Sequence, residues 1–525
     1  MSDQNGTPVA DDQVEVIGFL SDPASHVRAD GVECVETHGN FVFLAGPDAW
    51  KIKRAIRFPY MDFSTIEKRR VACEREVAIN RRFSSDMYLG CVPITRSTGG
   101  TLAFAGDGEI VEWAVHMRRF EQSALLSAIA AKAPIPDDLA KRLAGIVFDS
   151  HTVAERAPTS SGSAPIRTLV HSVCTSLGTC EAFDRGDVAR LADGLSAEVD
   201  QTAHLLDRRA HRGFVRRCHG DLHLANIVVL QGQPVLYDAI EFDEAMATID
   251  TLYDLAFLLM DLDRHGQRRA ANIVLNRYLW RSGDNLDLEG LAALPLFLAL
   301  RAAIRAMVTV DRAHQENAET AARDLDRARG YLAAALEYVS RPAARLIAIG
   351  GLSGTGKTTL AAALAPSIGG APGAVHLRSD LERKAMAGVG ELERLPSSAY
   401  TKESSARIYR LLEEKARIVL SAGFPVVVDA VYASEAERRA IEAVATSLGV
   451  AFDGIWLTAD RDALVARVGA RRNDASDATP DVVDAQLQYE IGRMSSAWHI
   501  VDARGAADET LHRAASQLRL NPEVT

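Results

Sequence analysis

The sequence predicts two domains of different class in one chain: an α+β domain over residues 13–340 and an α/β domain over residues 341–525, behind a flexible leader at 1–12. Three observations predict this. Strand-like patterns crowd between Val32 and about residue 120, and helical patterns dominate from there to Val339. Short apolar strands alternate with helical patterns after Pro342, which implies a parallel sheet wrapped by helices. The chain of 525 residues is also longer than one hydrophobic core usually serves.

In order, Phe41-Val42-Phe43-Leu44, the turn Ala45-Gly46-Pro47-Asp48 and Ala49-Trp50-Lys51-Ile52-Lys53 read as a hairpin. Phe63 to Arg82 reads as a helix, with Ser64 as N-cap and Glu67 completing a capping box. A strand is expected around Ile110 to Met117, and Ala157 to Ala164 has the composition of a mobile loop. Helix is expected from there to His219 and again from Ile249 to Val339. Between them lie two short strands, Ile227–Leu230 and Pro234–Tyr237, joined by Gln231-Gly232-Gln233. The character changes at Ser340-Arg341-Pro342. Arg345 to Ile349 then runs as a strand into a glycine loop and a helix from Lys357 to Leu364, with further strands at Val375–Leu377, Pro425–Val428 and Ile455–Leu457.

Hydrophobic residues at 47% and charged residues at 25% are ordinary globular values, and the net charge of -11 argues against a dedicated nucleic-acid binder. The six cysteines show no CxxC pairing, so neither a disulfide framework nor a zinc site is expected, and a cytoplasmic location fits. The start is polar and acidic without a signal-peptide core. The apolar stretch Leu291–Val310 carries Arg301 and Arg305, which favours a buried helix over a membrane span.

Two motifs carry chemistry. In His219-Gly220-Asp221-Leu222-His223-Leu224-Ala225-Asn226 an aspartate and an asparagine lie five apart on a loop entering a hairpin. That spacing lets one carboxylate face an acceptor hydroxyl while the amide oxygen binds a metal on phosphates. The run resembles the catalytic loop of aminoglycoside phosphotransferases, choline kinases and related small-molecule kinases, which implies a two-lobed protein-kinase-like fold. Carried over, the resemblance makes Asp221 the group that orients and deprotonates the acceptor and Asn226 a Mg²⁺ ligand. It places a second metal carboxylate at Asp238, with Glu241 as the alternative in a shifted alignment, and gives Asp250 and Asp254 a bracing role. It also asks for a strand lysine on the phosphates and a helix carboxylate to hold it. Lys51 and Lys53 share one strand face; Lys53 is preferred, with Glu76 as its partner. No GxGxxG cover is present in this lobe, which fits such small-molecule kinases better than protein kinases.

The second motif, Gly351-Leu352-Ser353-Gly354-Thr355-Gly356-Lys357-Thr358, meets the full Walker A pattern between a strand and a helix. Its glycines let backbone N–H groups turn towards phosphates, so Gly351, Ser353, Gly354, Thr355, Gly356 and Thr359 are candidate nucleotide contacts. Lys357 would neutralise the β and γ phosphates, and Thr358 would hold Mg²⁺. Asp429, ending an apolar strand, is the natural acid beside the metal. Arg378-Ser379-Asp380-Leu381-Glu382-Arg383-Lys384 resembles the acceptor-side segment of polynucleotide-kinase-like and zeta-toxin-like P-loop kinases. That resemblance makes Asp380 a general base and Arg383 a substrate contact; a plain helix N-cap is the competing reading of Asp380. Arg467 and Arg471, at i,i+4 with Arg472 beyond, look like a phosphate-facing lid whose mobile tip is Asn473-Asp474-Ala475-Ser476-Asp477-Ala478.

From about Val32 to Ala503 the chain resembles bacterial two-domain proteins that fuse an aminoglycoside-phosphotransferase-like kinase to a P-loop kinase. The resemblance implies an ATP-dependent, Mg²⁺-using enzyme acting on small hydroxylated molecules. A nucleotide-gated regulator with one silent domain, or a P-loop half acting on nucleotide or nucleic-acid ends, are the competing expectations. The oligomeric state is not specified by the sequence.

Overall fold

The computed structural model describes residues 7–8, 13–27, 29–37, 39–58, 61–314, 317–471 and 474–520. The leader expected at 1–12 falls outside these residues except for 7–8, as does Arg472. The chain forms two compact units. One comprises residues to Pro158 together with Gly213–Leu258; the other comprises Thr159–Arg212 and residues from Leu259 onward.

The first unit is built on an antiparallel six-stranded sheet. Its order is Val32–Glu36, Asn40–Ala45, Asp48–Lys53, Glu109–Arg118, Tyr88–Arg96 and Leu102–Phe104. Phe43, Trp50, Ile52, Ile94 and Ala114 form a core on one sheet face, with Val16 and Leu20 of the helix Val14–Ser21. The hairpin Ile227–Leu230 with Gln233–Leu236 forms as the sequence indicates. Its turn puts Gln231 and Gly232 at φ 51 and 77, the pattern of a two-residue turn that matches strand twist.

Several local expectations shift. The helix runs Ile66–Ser84 and not from Phe63, because the Asp62 carboxylate takes the Ser64 N–H at 3.0 Å and holds it in a turn. Thr65, not Ser64, is the N-cap, accepting from the Lys68 N–H, so the expected box with Glu67 does not form. Val215–Arg217 was expected to be helical but is a strand, fixed by pairing with Thr248–Asp250. A basic three-residue segment has no local strand signal; the partner decides its state. Tyr88–Arg96 went unread for a related reason: Gly90 and Pro93 break its alternation, and two register shifts accommodate them against Glu109–Arg118. In the segment expected to be mobile, Asp207 accepts from the N–H groups of Gly162 and Ser163, both at 2.9 Å, and a helix starts at Ser163.

The second unit contains a fully parallel sheet in the order Val375–Arg378, Val426–Asp429, Arg345–Gly351, Ala451–Thr458 and Trp498–Asp502. The last strand was not read from the sequence. Ile347, Ile349, Val427, Ile455 and Leu457 pack against Leu360 and Leu364 of the helix Lys357–Leu364. The helix Leu294–Ala313 belongs to this unit. Its neighbourhood is long and apolar enough to cross a membrane, yet 72% of the most apolar window is buried inside the protein.

Helix Arg268–Ser282 closes the free edge of the sheet at Val375–Arg378. Positions 268, 272, 276 and 280 share one helix face. Arg268 donates to the Pro366 carbonyl, Asn272 to those of Pro372 and Ala374, and Trp280 to that of Leu381. The Asn276 carbonyl oxygen accepts the His376 N–H at 2.7 Å. Such side chains satisfy backbone groups that an open sheet edge would leave bare. Asn272 is 3% exposed. Asn272→Ala should therefore cost about 1–3 kcal/mol, read as a lower denaturant midpoint at unchanged slope.

Candidate functional site

The first unit gathers its charged groups around Glu76, which is fully buried on helix Ile66–Ser84. Lys51 and Lys53, on one face of strand Asp48–Lys53, each take one oxygen of its carboxylate, at 2.9 and 2.6 Å. Each lysine also has its own acid. Lys51 pairs with Asp238 at 2.8 Å and Lys53 with Glu241 at 2.5 Å. Two nested pairs thus share one bridging carboxylate. The outer pair opens to solvent, since the Asp238 side chain is 43% exposed, whereas Lys53 is fully buried.

Burial disfavours both ammonium groups, but the surrounding carboxylates win and hold Lys51 and Lys53 above the ordinary lysine range. Burial likewise pushes Glu76 up, and the two lysines more than reverse it, bringing the acid to about 2. A carboxylate lowered from 4.5 to about 2 contributes stability that is complete above pH 4.5 and drains as pH falls towards 2. Acid unfolding of the wild type should steepen in that window, and Glu76→Gln should flatten it while lowering stability at neutral pH.

Asp238 sits just beyond the strand Gln233–Leu236 with φ 60, a left-handed conformation that costs a non-glycine residue. Its neighbours hold it there: the Asp238 N–H donates to the Tyr88 hydroxyl, and the Ala239 N–H to the Asn80 carbonyl oxygen at 2.8 Å. Neither Asn80 nor Tyr88 was legible as a site residue. Asn80 lies one helical turn after Glu76, which is the signal that was available.

The loop motif folds around Asp254. Its two oxygens accept from the N–H groups of His219 and Gly220, as the bracing expectation required, whereas Asp250 caps the next helix through the Leu252 N–H. Burial lowers the His219 pKa, and the neutral ring donates from Nε2 to the Tyr237 carbonyl while Nδ1 faces the Asp221 N–H. Asp221 is thereby fixed between fully hydrogen-bonded neighbours. Asn226 donates from Nδ2 to both the Asp221 backbone oxygen and its carboxylate, at 2.9 Å each, which turns its amide oxygen away from Asp221.

In the second unit the loop Gly351–Thr358 spans strand Arg345–Gly351 and helix Lys357–Leu364. Gly354 has φ 89, and a Cβ there would lie 2.7 Å from the Leu464 carbonyl oxygen, so only glycine fits. The Lys357 ammonium curls back onto the Leu352 carbonyl at 2.9 Å, and burial pulls its pKa down to about 8 against the opposing influence of Asp429 and Asp380. The Thr358 hydroxyl meets Asp429 at 3.3 Å, and Asp429 also receives His376 at 2.6 Å. Thr359 is exposed in the first helical turn.

Asp380 is not an N-cap. Arg378 occupies that position without a side-chain cap, and Asp380 lies in the first turn, where burial followed by the nearby Asp429 raises its pKa. Arg383 bonds the Ala399 carbonyl and stacks over the Tyr400 ring at 4.8 Å. The two lid arginines have different partners. The helix ends at Ala470, and Arg471 is its C-cap. Arg467 turns to the carbonyls of Arg504 and Gly505, while Arg471 stays within electrostatic reach of Lys357. The tip expected to be mobile is docked: Asp477 accepts from Lys384, the Leu395 N–H and the Tyr400 hydroxyl. Gln486, which caps the Ser353 N–H at 2.7 Å, and His376 had no readable spacing to the motif.

Residues 111–294 match the phosphotransferase enzyme family, and residues 346–491 match an AAA domain. The chain joins a phosphotransferase-family domain to an AAA-type P-loop kinase domain. An uncharacterized protein of Mycobacterium tuberculosis is 29% identical over 92% of this chain and 94% of its own length, and one of Mycobacterium bovis matches equally. Among solved structures, a GDP complex of aminoglycoside 2'-phosphotransferase-IIIa is 14% identical, covering 61% of this chain and 99% of that one with a TM-score of 0.38. A sugar kinase from Janibacter sp. is 19% identical over 35% of this chain and 99% of its own, with a TM-score of 0.27. Both matched families are nucleotide-using kinase families.

Proposed function

We propose that this protein is a bifunctional ATP-dependent phosphotransferase, moving the γ-phosphoryl group of ATP to hydroxyl groups of small metabolites of sugar or amino-alcohol type. The observation that carries the reading is the pairing of Asp221 with Asn226, a carboxylate and an amide locked together by a 2.9 Å hydrogen bond. In the first unit Asp221 orients the acceptor hydroxyl and takes its proton. In place of Lys53, which the sequence favoured, Lys51 is taken as the phosphate lysine, because its pair borders solvent at Asp238 while Lys53 lies behind Glu76 and Glu241.

The donor sets suit a hard cation: the Asn226 amide oxygen and Asp238 in one unit, and the Thr358 hydroxyl with Asp429 in the other. Mg²⁺ bound there would neutralise charge on the phosphates as the γ-phosphoryl group departs. In the second unit Lys357 holds the phosphates and Asp380, kept basic by burial, receives the acceptor proton. A cytoplasmic setting, where ATP is available, is part of this reading.

Lys51→Met should weaken nucleotide binding at the first unit about 10-fold or more and lower stability by less than Lys53→Met, because Lys53 still pairs with Glu76 and Asp238 is part-exposed. Lys53→Met should instead cost about 3–5 kcal/mol of stability, since it strands buried acids. Calorimetric binding and chemical denaturation of both variants check this contrast. The reading as a whole is tested by phosphoryl transfer from labelled ATP into a small-molecule extract. Wild type, Asp221→Ala and Lys357→Ala run side by side, with products identified by mass spectrometry. A product lost in only one variant assigns it to one unit; no product that either variant lacks would sink the bifunctional reading.

A further inference from the structure

The acceptor side of the P-loop unit contains a guanidinium that its own protein satisfies only in part. Arg378 ends the edge strand, two residues before Asp380, with its side chain only 15% exposed. Its Nε is buried without an acceptor among the described residues. Its ion pairs are loose, 3.3 Å to Asp474 and 4.0 Å to Glu391, and Asp380 and Asp429 lie within electrostatic reach. Glu391 is held more closely by Arg277, at 2.8 Å. A guanidinium offers five donors in a planar fork, and leaving them unmet out of water is costly unless an oxyanion completes the set.

The segment lying over this position shows what would complete it. Asp474 presents a carboxylate to Arg378, and two residues later the Ser476 side chain lies close enough to Asp380 to act on its pKa. Asp474 also accepts the Ser476 N–H at 3.2 Å, which fixes the two groups relative to each other. Asp477 anchors the segment through Lys384, Leu395 and Tyr400. An anion on the arginine and a hydroxyl beside the base are the two groups a hydroxylated anionic acceptor would bring.

Building on the reading of Asp380 as base, we propose that the P-loop unit takes a small polyol bearing one anionic group, carboxylate or phosphate, which docks on Arg378 and places a hydroxyl at Asp380. The Asp474–Ser476 segment occupies those contacts in its absence and is displaced by it. Transfer then forms one bond from the acceptor oxygen to the γ-phosphorus and breaks the bond from that phosphorus to the β–γ bridging oxygen. The hydroxyl proton passes to Asp380, and ADP leaves. Neutral polyols and amino alcohols lack the group that Arg378 requires, so this unit discriminates against them.

The test is calorimetric binding of gluconate, sorbitol phosphate and sorbitol to the full-length protein with a non-hydrolysable ATP analogue present. The three probes share a polyol chain and differ in the anion; the first two separate carboxylate from phosphate. We expect at least one anionic probe to bind about 10-fold or more tighter than sorbitol. Arg378→Gln should remove that preference, and Asp474→Asn should tighten anion binding by weakening the internal competitor. Equal binding of all three probes, or a preference that survives Arg378→Gln, overturns the proposal, and so does an Asp474→Asn variant that binds the anionic probe more weakly. Binding of the ATP analogue alone, compared with Lys357→Ala, reports separately on the nucleotide reading, so loss of the one is distinguishable from loss of the other.

Discussion

Asp221→Asn is expected to lower phosphoryl transfer by the first unit about 100- to 10,000-fold, the range a positioned general base supplies, while nucleotide affinity there stays close to wild type. Asparagine is the informative replacement. The Asn226 Nδ2 donates to both the carboxylate and the backbone oxygen of Asp221, so an isosteric amide keeps one acceptor in place and the loop intact. Asp254 fixes the preceding backbone from two N–H groups and does not depend on the Asp221 side chain. The effect should therefore fall on kcat and not on stability or on the KM for ATP. A single-turnover measurement with saturating nucleotide reads it directly, and a variant that transfers at wild-type rate would remove Asp221 from the base role.

Lys357→Met is expected to weaken nucleotide binding by the second unit about 10- to 100-fold, corresponding to the roughly 1.5–3 kcal/mol of one charge-assisted hydrogen bond. Without nucleotide the ammonium rests on the Leu352 carbonyl in a setting where burial lowers its pKa to about 8. Phosphate oxygens would provide the counter-charge it lacks there, so the gain on binding is larger than for a solvated lysine. Removing the charge should leave the fold stable, because the neutral side chain relieves a desolvation cost. Binding measured in an Asp238→Asn background, which removes the metal ligand proposed for the first unit, reports mainly on the second. Unchanged affinity there would show that the loop does not hold phosphates through this lysine.

The motifs were legible because phosphate chemistry demands rigid local spacing. The Walker loop needs its glycines, lysine and threonine contiguous, and the Asp221-to-Asn226 interval is set by one turn of backbone. Strand Arg345–Gly351 and helix Lys357–Leu364 were equally clear, since an apolar run before a glycine loop has few alternative states. What failed were readings that depend on a partner. The Ser64 N-cap looked sound from the local pattern, yet the Asp62 carboxylate holds the Ser64 N–H and Thr65 caps the helix instead. Strand Val215–Arg217 exists only because Thr248–Asp250 lies beside it.

The sequence by itself therefore determined the two fold classes and where the two motifs lie, at His219–Asn226 and Gly351–Thr358. Tertiary structure decided how Lys51 and Lys53 divide between Asp238 and Glu241, that Asn80 and Tyr88 hold the strained Asp238, and that Asn276 and His376 support the strand next to Asp429. The physical reason is range. Backbone conformation and motif spacing are set by neighbours along the chain, whereas charge pairing and hydrogen-bond satisfaction of buried groups are settled between residues far apart in sequence, and only the packed fold brings those together.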